Sequence, residues 1–317
     1  MKRGVIDTLR RGIDNTIANW QIILIRLAET LLFGIIAVAA IIAIVVPIFV
    51  SFGIELANLG TPESVESAML AMMDKWILLV WIFVIISVLL LVFALIHSFV
   101  TAGCARVYVD GERVVGAPVT GPRSRFRVFS MERWYSGAAD GWWTLFWIYN
   151  LGWGLAGLIL LIPLVPTALL MLLFRETPEA LLATGCVGMI LTVMLMLIVT
   201  IVTAMWTTRA ITDWAVRREG ARDALSSGWR SLKSDFGRHL LIALAVLVVT
   251  LAGSSFFATF GFFASFGEAL GRHSDPFAGI FTFPLRFAGS FLNSIFSAAV
   301  GSWFLAAYGA LAVENEP

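Results

Sequence analysis

Five polar side chains inside long apolar stretches are the residues of this sequence best placed to do chemistry: Arg26, Glu29, His97, Asn150 and Thr200. Each of the last four lies eight or nine residues from a tryptophan or arginine at the end of its apolar stretch. With a rise of about 1.5 Å per residue, this spacing gives them a common depth of roughly 12–14 Å. They could form a polar cluster or a small cavity, in which Glu29 and His97 are the only candidate acid–base pair. Alternatively their role is structural: Arg26 neutralises Glu29 one turn away, while His97 and Asn150 hydrogen-bond between helices.

Other reactive constellations are absent from the sequence. The three histidines stand apart, without the spacing of a metal site: His97, His239 and His273. Cys104 and Cys186 are expected near opposite ends of their apolar stretches, too far apart for a disulfide. There is no phosphate-binding loop, no dinucleotide fingerprint and no G-x-S-x-G motif. We therefore predict a protein that is not an enzyme and needs no cofactor or metal. An enzyme that acts on lipid within the membrane ranks behind the two non-enzymatic functions given at the end of this subsection.

The composition predicts an integral membrane protein. Hydrophobic residues make up 59% of the chain and charged residues 14%, and the mean hydropathy is +0.90, whereas soluble domains are far less apolar. Six runs are long enough to cross the roughly 30 Å hydrocarbon core of a bilayer: 21–50, 76–104, 142–174, 181–209, 239–266 and 286–313. The fifth run contains Gly253, Ser254 and Ser255, so it is either a full span or partly re-entrant.

A repeated pattern predicts how the spans are organised. One helical stripe, with a basic face opposite it, consists of Leu225, Trp229, Leu232 and Phe236. Shifts of 94 and 216 residues bring this stripe onto 131–142 and 9–20, each directly before a span. Short turns, TPE at 61–63 and 177–179 and SDP at 274–276, precede the second span of each pair as an N-cap followed by proline. The predicted fold is therefore all-α, with residues 1–317 forming one polytopic membrane bundle of six transmembrane helices. It consists of three tandem units, 1–104, 105–209 and 210–317. Each unit combines a cytoplasmic amphipathic interfacial helix with a hairpin of two spans.

The distribution of positive charge predicts the orientation. Of the 22 Lys and Arg residues, 17 lie before the first span, between the second and third spans, or between the fourth and fifth. The remaining connections hold only four. Because cytoplasmic loops carry the excess of positive charge, both termini are predicted to face the cytoplasm. The first apolar run, about 30 residues long, exceeds the core of a signal peptide, so no cleavable signal is expected.

The amphipathic helices and their links predict a basic collar on the cytoplasmic surface. Its members are Arg123, Arg125, Arg127, Arg217, Arg218, Arg222, Trp229, Arg230 and Lys233. On this interpretation the apolar stripe of each helix lies in the headgroup boundary and the basic face meets anionic lipid headgroups. The collar either sets the depth and tilt of the spans or docks a membrane protein partner or a particular lipid. A basic patch beside a bilayer is explained by the lipid, so no nucleic acid partner is predicted.

Small residues predict where the helices pack. In the sixth span they recur every fourth residue, as a ridge of Ser290, Ser294, Ala298, Ser302, Ala306 and Ala310. Such a ridge lets another helix approach closely, either as a seam within the molecule or as a dimer face. Gly154 and Gly157 are also expected to be packing positions, and Pro163 with Pro166 should kink the third span.

Three segments carry a resemblance to a known family: SFVTAGCARVYVDGERV, FRVFSMERWYSGAADGWWTLFWIYNL and AITDWAVRREGARDALSSGWRSLKSDFGRHLLIAL. Their pattern is a span end with glycine, a basic link, and an ALxxxWxxxKxxFxxxL-like helix that leads into a span. It resembles the six-span membrane domain fused to some bacterial glycerophosphodiester phosphodiesterases, and the stand-alone relatives of that domain. The resemblance implies a multi-pass protein of a bacterial or archaeal cell (inner) membrane. It implies no catalysis, because the chain has no room for a soluble phosphodiesterase barrel.

Two functions from different classes follow. The absence of reactive constellations and the triplicated collar favour a non-enzymatic membrane scaffold or accessory subunit. Internal repeats, kinked spans and buried polar groups are also the signs of a small transporter or channel-like protein. A continuous polar path from the inner cluster to Asn293 and Ser294 would favour transport, whereas a dry, apolar centre would favour the scaffold.

Overall fold

The chain folds almost entirely into helices. The computed structural model describes residues 3–52, 76–116, 123–174, 177–271 and 278–314. Over these ranges it contains no strand, one short 3₁₀ turn at Arg123–Phe126, and eight α-helices. The helices are α1 (Val5–Ala18), α2 (Gln21–Phe52), α3 (Trp76–Val115), α4 (Met131–Leu173), α5 (Pro178–Arg217), α6 (Ala221–Ser234), α7 (Phe236–Gly271) and α8 (Ala278–Glu314). Six of them, all except α1 and α6, are long and apolar enough to cross a membrane, which confirms an all-α, multi-pass membrane fold.

The helices extend beyond the predicted spans at several ends. α3 continues to Val115 and α5 to Arg217, so each carries about two to three further turns past its apolar run. The stretch 131–141 is no separate amphipathic helix: it forms the first turns of α4, whose N-cap Ser130 accepts a hydrogen bond from the Arg133 amide at 3.2 Å. The stretch of the fifth span that contains Gly253 is continuous helix within α7, so no re-entrant break occurs there.

The predicted turns before the second span of each pair are only partly visible. Thr177 precedes Pro178 at the first position of α5, as the TPE pattern predicts, although the threonine side chain makes no capping hydrogen bond. The turns at 61–63 and 274–276 lie outside the described residues. Pro163 and Pro166 both lie inside the continuous α4.

The chain divides into two compact units, Arg26–His97 and the remainder, Met1–Ile25 with Ser98–Pro317. The smaller unit contains the facing portions of α2 and α3. Phe33 stacks on Phe93 with ring centroids 4.4 Å apart, and Trp81 donates its indole N–H to the Ala43 carbonyl at 3.2 Å. The two helices therefore pair antiparallel, as a transmembrane hairpin.

The larger unit contains two further helix pairs. α4 packs along α5, and α7 packs along α8. Glycines allow the close approach: Gly152 of α4 receives the methyl group of Thr207, and Gly253 of α7 receives the ring of Phe296. A methyl group added at Gly154 or Gly157 would meet no atom within 4 Å, so the prediction that these two are packing positions was wrong and Gly152 takes that role.

The core of the larger unit lies at one end of its helices rather than along them. We call it the basal core: residues 98–115 of α3, 199–217 of α5 and 298–314 of α8, with α1, α6 and the first turns of α4 around them. In five of the six spanning windows no more than 11% of residues are buried within the protein, against 56% in α8. The exposed Leu, Ile, Val and Phe side chains of those five windows are the surface that lipid covers.

Two helices cross the basal core in the same way. A methyl group at Gly12 of α1 would meet the Ala307 backbone nitrogen at 2.9 Å, and one at Gly228 of α6 would meet that of Ala210 at 2.9 Å. Each short helix therefore rests through a glycine directly on the backbone of a spanning helix. Gly12 and Gly228 are 216 residues apart, the offset that relates the first and third apolar stripes.

The apolar stripe of α6 divides between protein and surface, which differs from the prediction of a wholly interfacial face. Leu225 and Leu232 are buried, and Leu232 belongs to an apolar cluster with Met205, Ile242 and Tyr308. Trp229 remains 40% exposed. Phe236, the last residue of the predicted stripe, is the first residue of α7 instead and is 45% exposed. The reason is the adjacent end of α5, which supplies a closer apolar surface than the headgroup boundary.

The short helix α1 shows the reverse pattern. Its buried face is polar, with Thr8, Asn15 and Thr16, while Ile6 and Ile17 are exposed. The polar face of α1 is therefore the one that packs against the protein.

Candidate functional site: the basal core and its charged surface

Buried ion pairs hold the basal core together. Arg11 of α1 donates from Nε and Nη2 to one carboxylate oxygen of Glu112 in α3, at 2.9 and 2.6 Å. The same guanidinium donates to the Gly116 carbonyl at 3.0 Å and lies over the Phe126 ring. Both charged side chains are at most 6% exposed. The pair therefore joins α1 to the end of α3 and is unavailable to an outside partner.

Two further ion pairs lie in the basal core, one within a single helix and one between helices. Arg209 and Asp213, one turn apart in α5, are 2.9 Å apart and almost fully buried. Arg238 of α7 lies 2.7 Å from Glu314 of α8, and it also donates to Thr8 of α1 at 3.0 Å. Arg11, Arg209 and Arg238 are thus structural groups inside the protein, although they lie in the same segments of the chain as the exposed cations.

An asparagine pair fixes the basic link that precedes α4. Asn15 donates to the Tyr108 carbonyl at 2.9 Å. Asn19 donates to the Phe126 carbonyl at 2.8 Å, and its side-chain oxygen accepts from the amides of Val128 and Phe129, both at 3.0 Å. One side chain therefore satisfies three backbone groups of the link, which keeps the exposed arginines around Phe126 in place.

All of the predicted collar residues are on the surface of the larger unit. The cations Arg123, Arg125, Arg127, Arg217, Arg218, Arg222, Arg230 and Lys233 are exposed. Arg123 pairs with Asp14 of α1 at 2.6 Å, and Arg217 lies 3.6 Å from Glu219. Trp229 meets Trp206 edge to face. The structure therefore gathers the collar onto the 3₁₀ turn, the end of α5 and the outer face of α6.

The predicted intramembrane cluster separates into different surroundings. In the smaller unit, Glu29 is buried, with one carboxylate oxygen 2.7 Å from His97 Nδ1 and the other 3.2 Å from Arg26 Nη1. Asn150, in the larger unit, donates to the Phe146 carbonyl of its own helix at 2.7 Å instead of bridging two helices. Thr200 lines an apolar cavity of about 330 Å³ between α5, α7 and α8, with Leu244 and Phe304.

The small-residue ridge of α8 is buried over its second half. Ala298, Ser302, Ala306 and Ala310 are all buried, whereas Ser290 is exposed. α8 packs there against α1, α5 and α7. This half of the ridge is thus a seam within the molecule. Cys104 is buried and Cys186 exposed, and they form no disulfide.

Reasoning from the sequence missed the residues that build the core: Arg11, Asn15, Asn19 and Glu112. A signal was present, since Arg11, Asn15 and Asn19 recur at intervals of four and therefore share one helical face. Polar residues on the side away from an apolar stripe are ordinarily assigned to solvent. Only the partners on α3 and the 3₁₀ turn, distant in sequence, reveal that this face is buried.

Comparisons of the chain with known protein families, with curated proteins and with solved structures found no match. The resemblance to the six-span domain of some phosphodiesterases therefore stays a prediction.

Proposed function

We propose that this protein is a non-enzymatic membrane scaffold or accessory subunit that docks a partner or anionic lipid on its basic collar. The observation that carries this proposal is the contrast between two sets of cations. Arg11, Arg209 and Arg238 are used inside the basal core, each beside a carboxylate. The eight cations of the collar are exposed around that core. A rigid support that presents positive charge is what a docking surface requires.

The apolar interior of the larger unit favours the scaffold function over the transporter function. The cavity between α5, α7 and α8 is apolar: beside Thr200, Thr250 and Ser297, its lining is Ala, Leu, Ile, Val, Gly and Phe. The hydroxyl of Thr250 donates to the Val246 carbonyl of its own helix at 2.8 Å, and Ser294 donates to the Ser290 carbonyl at 3.0 Å. Hydroxyls that are satisfied by their own helices offer little to a passing polar solute.

The proposed orientation sets the basal core and collar on the cytoplasmic side. The excess of Lys and Arg in that part of the chain supports it. Trp143 meets Trp142 and Trp147 edge to face near the start of the third spanning stretch, and aromatic residues there support a membrane interface at that depth. A bacterial or archaeal cell membrane is the location that the family resemblance supports.

Co-purification tests this proposal. The protein is extracted from native membranes in mild detergent, and bound proteins and retained lipids are identified by mass spectrometry. We expect a stoichiometric protein partner or an enriched anionic lipid with the wild type. The triple variant Arg222→Gln/Arg230→Gln/Lys233→Gln removes charge from the outer face of α6 and should lose it.

A charge-preserving variant, Arg222→Lys/Arg230→Lys, is the matched control and should retain the bound molecule. Equal recovery of partner and lipid with the wild type and the triple Gln variant would contradict the proposal, because charge on this face would then be irrelevant to docking.

The second candidate function is a small transporter, and the Arg26–Glu29–His97 network favours it. A carboxylate and an imidazole that lie 2.7 Å apart on neighbouring spans are the kind of groups that form proton relays in pumps and transporters. Glu29→Gln should then abolish solute flux in liposomes while thermal stability in detergent changes little. A large loss of stability with this variant would assign the network to packing instead.

A further inference from the structure

A polar pocket of about 350 Å³ lies where α3, the start of α4 and the end of α5 meet. Three arginines line it from three different segments: Arg106, Arg133 and Arg218. Its other lining groups are two carboxylates and two serine hydroxyls, those of Asp110, Glu132, Ser130 and Ser136. The volume lies within the range of pockets that hold small ligands or headgroups.

The carboxylates around the pocket hold its arginines loosely. Arg106 Nε lies 3.2 Å from Asp110, whereas Arg133 Nε is 4.0 Å from the same carboxylate. Arg218 Nη1 is 3.8 Å from Asp140. Charge-assisted hydrogen bonds are about 2.7–2.9 Å long, and each guanidinium carries five N–H donors. Arg133 Nη1 also donates to the Val128 carbonyl at 2.8 Å, and Arg106 Nη1 to the Ala215 carbonyl at 3.3 Å. The three guanidiniums together still carry more N–H donors than these carbonyls and the carboxylates accept.

The electrostatic field inside the pocket also favours an anion. Burial, and next the guanidinium of Arg106, lower the pKa of Arg218, so two cations here are held close together. The first turn of α4, a helix of 43 residues, begins at the pocket. Its N-terminus contributes further positive potential. A phosphate group in the pocket would relieve the repulsion between these two guanidiniums.

Arg218 occupies its position at a conformational cost. It caps α5 with φ of 60° and ψ of 31°, and its amide donates to the Trp214 carbonyl at 2.8 Å. Among the described residues it is the only non-glycine with positive φ. Glycine is the usual residue there, and Gly220 lies only two positions on. An arginine retained in a left-handed cap, with its guanidinium over the Trp214 ring, indicates that the position of that charge matters.

The depth of the pocket matches that of lipid headgroups. Ser136 lies six residues before Trp142, about 9 Å along the helix axis. Trp142 and Trp143 begin the aromatic cluster of α4 and are partly exposed, as residues of the interface are. A site roughly one headgroup beyond the aromatic belt can be reached both from the bilayer surface and from the aqueous phase.

We propose that the pocket between Arg106, Arg133 and Arg218 binds a phosphate group, carried by an anionic lipid headgroup or by a soluble phosphate. This inference rests on the proposed docking role of the basic surface, and it names the chemistry that one part of that surface recognises. Arg133 and Arg218 bind the phosphate oxygens, and Arg106 is held beside them by Asp110.

Affinities of purified protein variants in detergent test the site. Two probes are added separately at constant ionic strength: inorganic phosphate, and phosphatidylglycerol in mixed micelles against phosphatidylcholine. Binding is followed as stabilisation against thermal unfolding. We expect Arg133→Gln/Arg218→Gln to weaken binding of at least one probe by about tenfold or more. The matched control, Arg10→Gln/Arg286→Gln, removes the same charge from exposed positions outside both the pocket and the collar and should weaken binding less than about twofold.

A variant that is expected to bind more tightly makes the test independent of misfolding, because a damaged fold would only weaken binding. Glu132→Gln removes a negative charge from the pocket rim and should strengthen binding by about two- to fivefold. Binding of phosphatidylglycerol alone assigns the site to lipid, whereas competition between the two probes assigns it to the phosphate group from either source.

Three outcomes would overturn the inference: no stabilisation of the wild type by either probe, wild-type affinity in Arg133→Gln/Arg218→Gln, or an equal loss in both double variants. The last outcome would show that anion binding follows net charge without a specific pocket, and it would leave the docking function to be decided by the co-purification experiment. Loss of co-purifying molecules from the α6 variants, with no phosphate binding at the pocket, would likewise separate the two proposals.

Discussion

Single residues of this protein place positive charge in two different settings, buried within the basal core and exposed around it. Arg11 of α1 and Glu112 form a pair that is nearly inaccessible to solvent. Asp14, also on α1, pairs instead with the exposed Arg123 of the 3₁₀ turn. Removing one partner costs more stability in the buried pair than in the exposed pair, because it leaves an uncompensated charge in an environment of low polarity.

The Arg11–Glu112 pair gives the first prediction. Arg11→Met and Glu112→Gln should each lower the free energy of unfolding by about 3–5 kcal/mol. The double variant Arg11→Met/Glu112→Gln should lose clearly less than the two single losses combined, since neither member of the pair is then left charged without the other. Unfolding of the purified protein in detergent measures all three.

Arg123→Gln is the control for this prediction, because the exposed Arg123–Asp14 pair should be worth less than about 1 kcal/mol. Additive losses in the Arg11–Glu112 double variant would show that the two residues act independently and that the pair does not support the core.

Residue types and spacings allowed some contacts of the site to be predicted and not others. The contact between Arg26 and Glu29 is local, three positions apart on one helix, and the structure contains it at 3.2 Å. The exposure of the collar cations also follows from their charge. The partners of Asn15 and Asn19 lie 93 and 107 residues away, and no local pattern identifies a contact at that distance.

At the scale of elements, the crossings of α1 and α6 depend on glycine. At both crossings a side-chain carbon at the glycine would lie 2.9 Å from a backbone nitrogen of the spanning helix, and a backbone has no rotamer by which to move away. The helices would have to separate to accept even one methyl group.

Gly228→Ala should therefore lower the free energy of unfolding by about 1–3 kcal/mol, as overpacking does, and Gly12→Ala should have a similar effect. Gly157→Ala is the matched control: its methyl group meets no atom within 4 Å, and alanine favours helix by about 0.5–1 kcal/mol. Thermal unfolding in detergent compares the three variants. Equal stability of Gly228→Ala and Gly157→Ala would show that the α5–α6 contact adapts freely.

The length of the apolar runs predicts the spanning helices well, because the thickness of the bilayer alone determines how long those runs must be. Long apolar runs correspond to six spanning helices, as bilayer thickness requires. The ends were less predictable: α3 and α5 continue past their apolar runs because the extra turns are buried in the basal core, as Tyr108 and Trp214 are. The stretch 131–141 joins α4 because nothing in it interrupts the helix before Trp142.

At the scale of the whole molecule, the proposed orientation can be tested directly. In a Cys104→Ala/Cys186→Ala background, Ser226→Cys places a thiol on the exposed face of α6. A membrane-impermeant maleimide should label it in inside-out vesicles and leave it unlabelled in intact cells. Labelling after permeabilisation is the control for reactivity. Labelling in intact cells would reverse the orientation and remove the cytoplasmic assignment of the collar.

The contact between α1 and α8 has a consequence for biosynthesis. Trp303 donates its indole N–H to the Leu9 carbonyl, across 294 residues of sequence, and the polar face of α1 is buried there and against α3. The ribosome releases α1 well before the end of α8. Gly12 therefore stays uncovered until α8 has been inserted. Completion of the basal core is thus a late, long-range step of assembly, and a chain interrupted before α8 would expose an unfinished basal core to the quality-control proteases of the membrane.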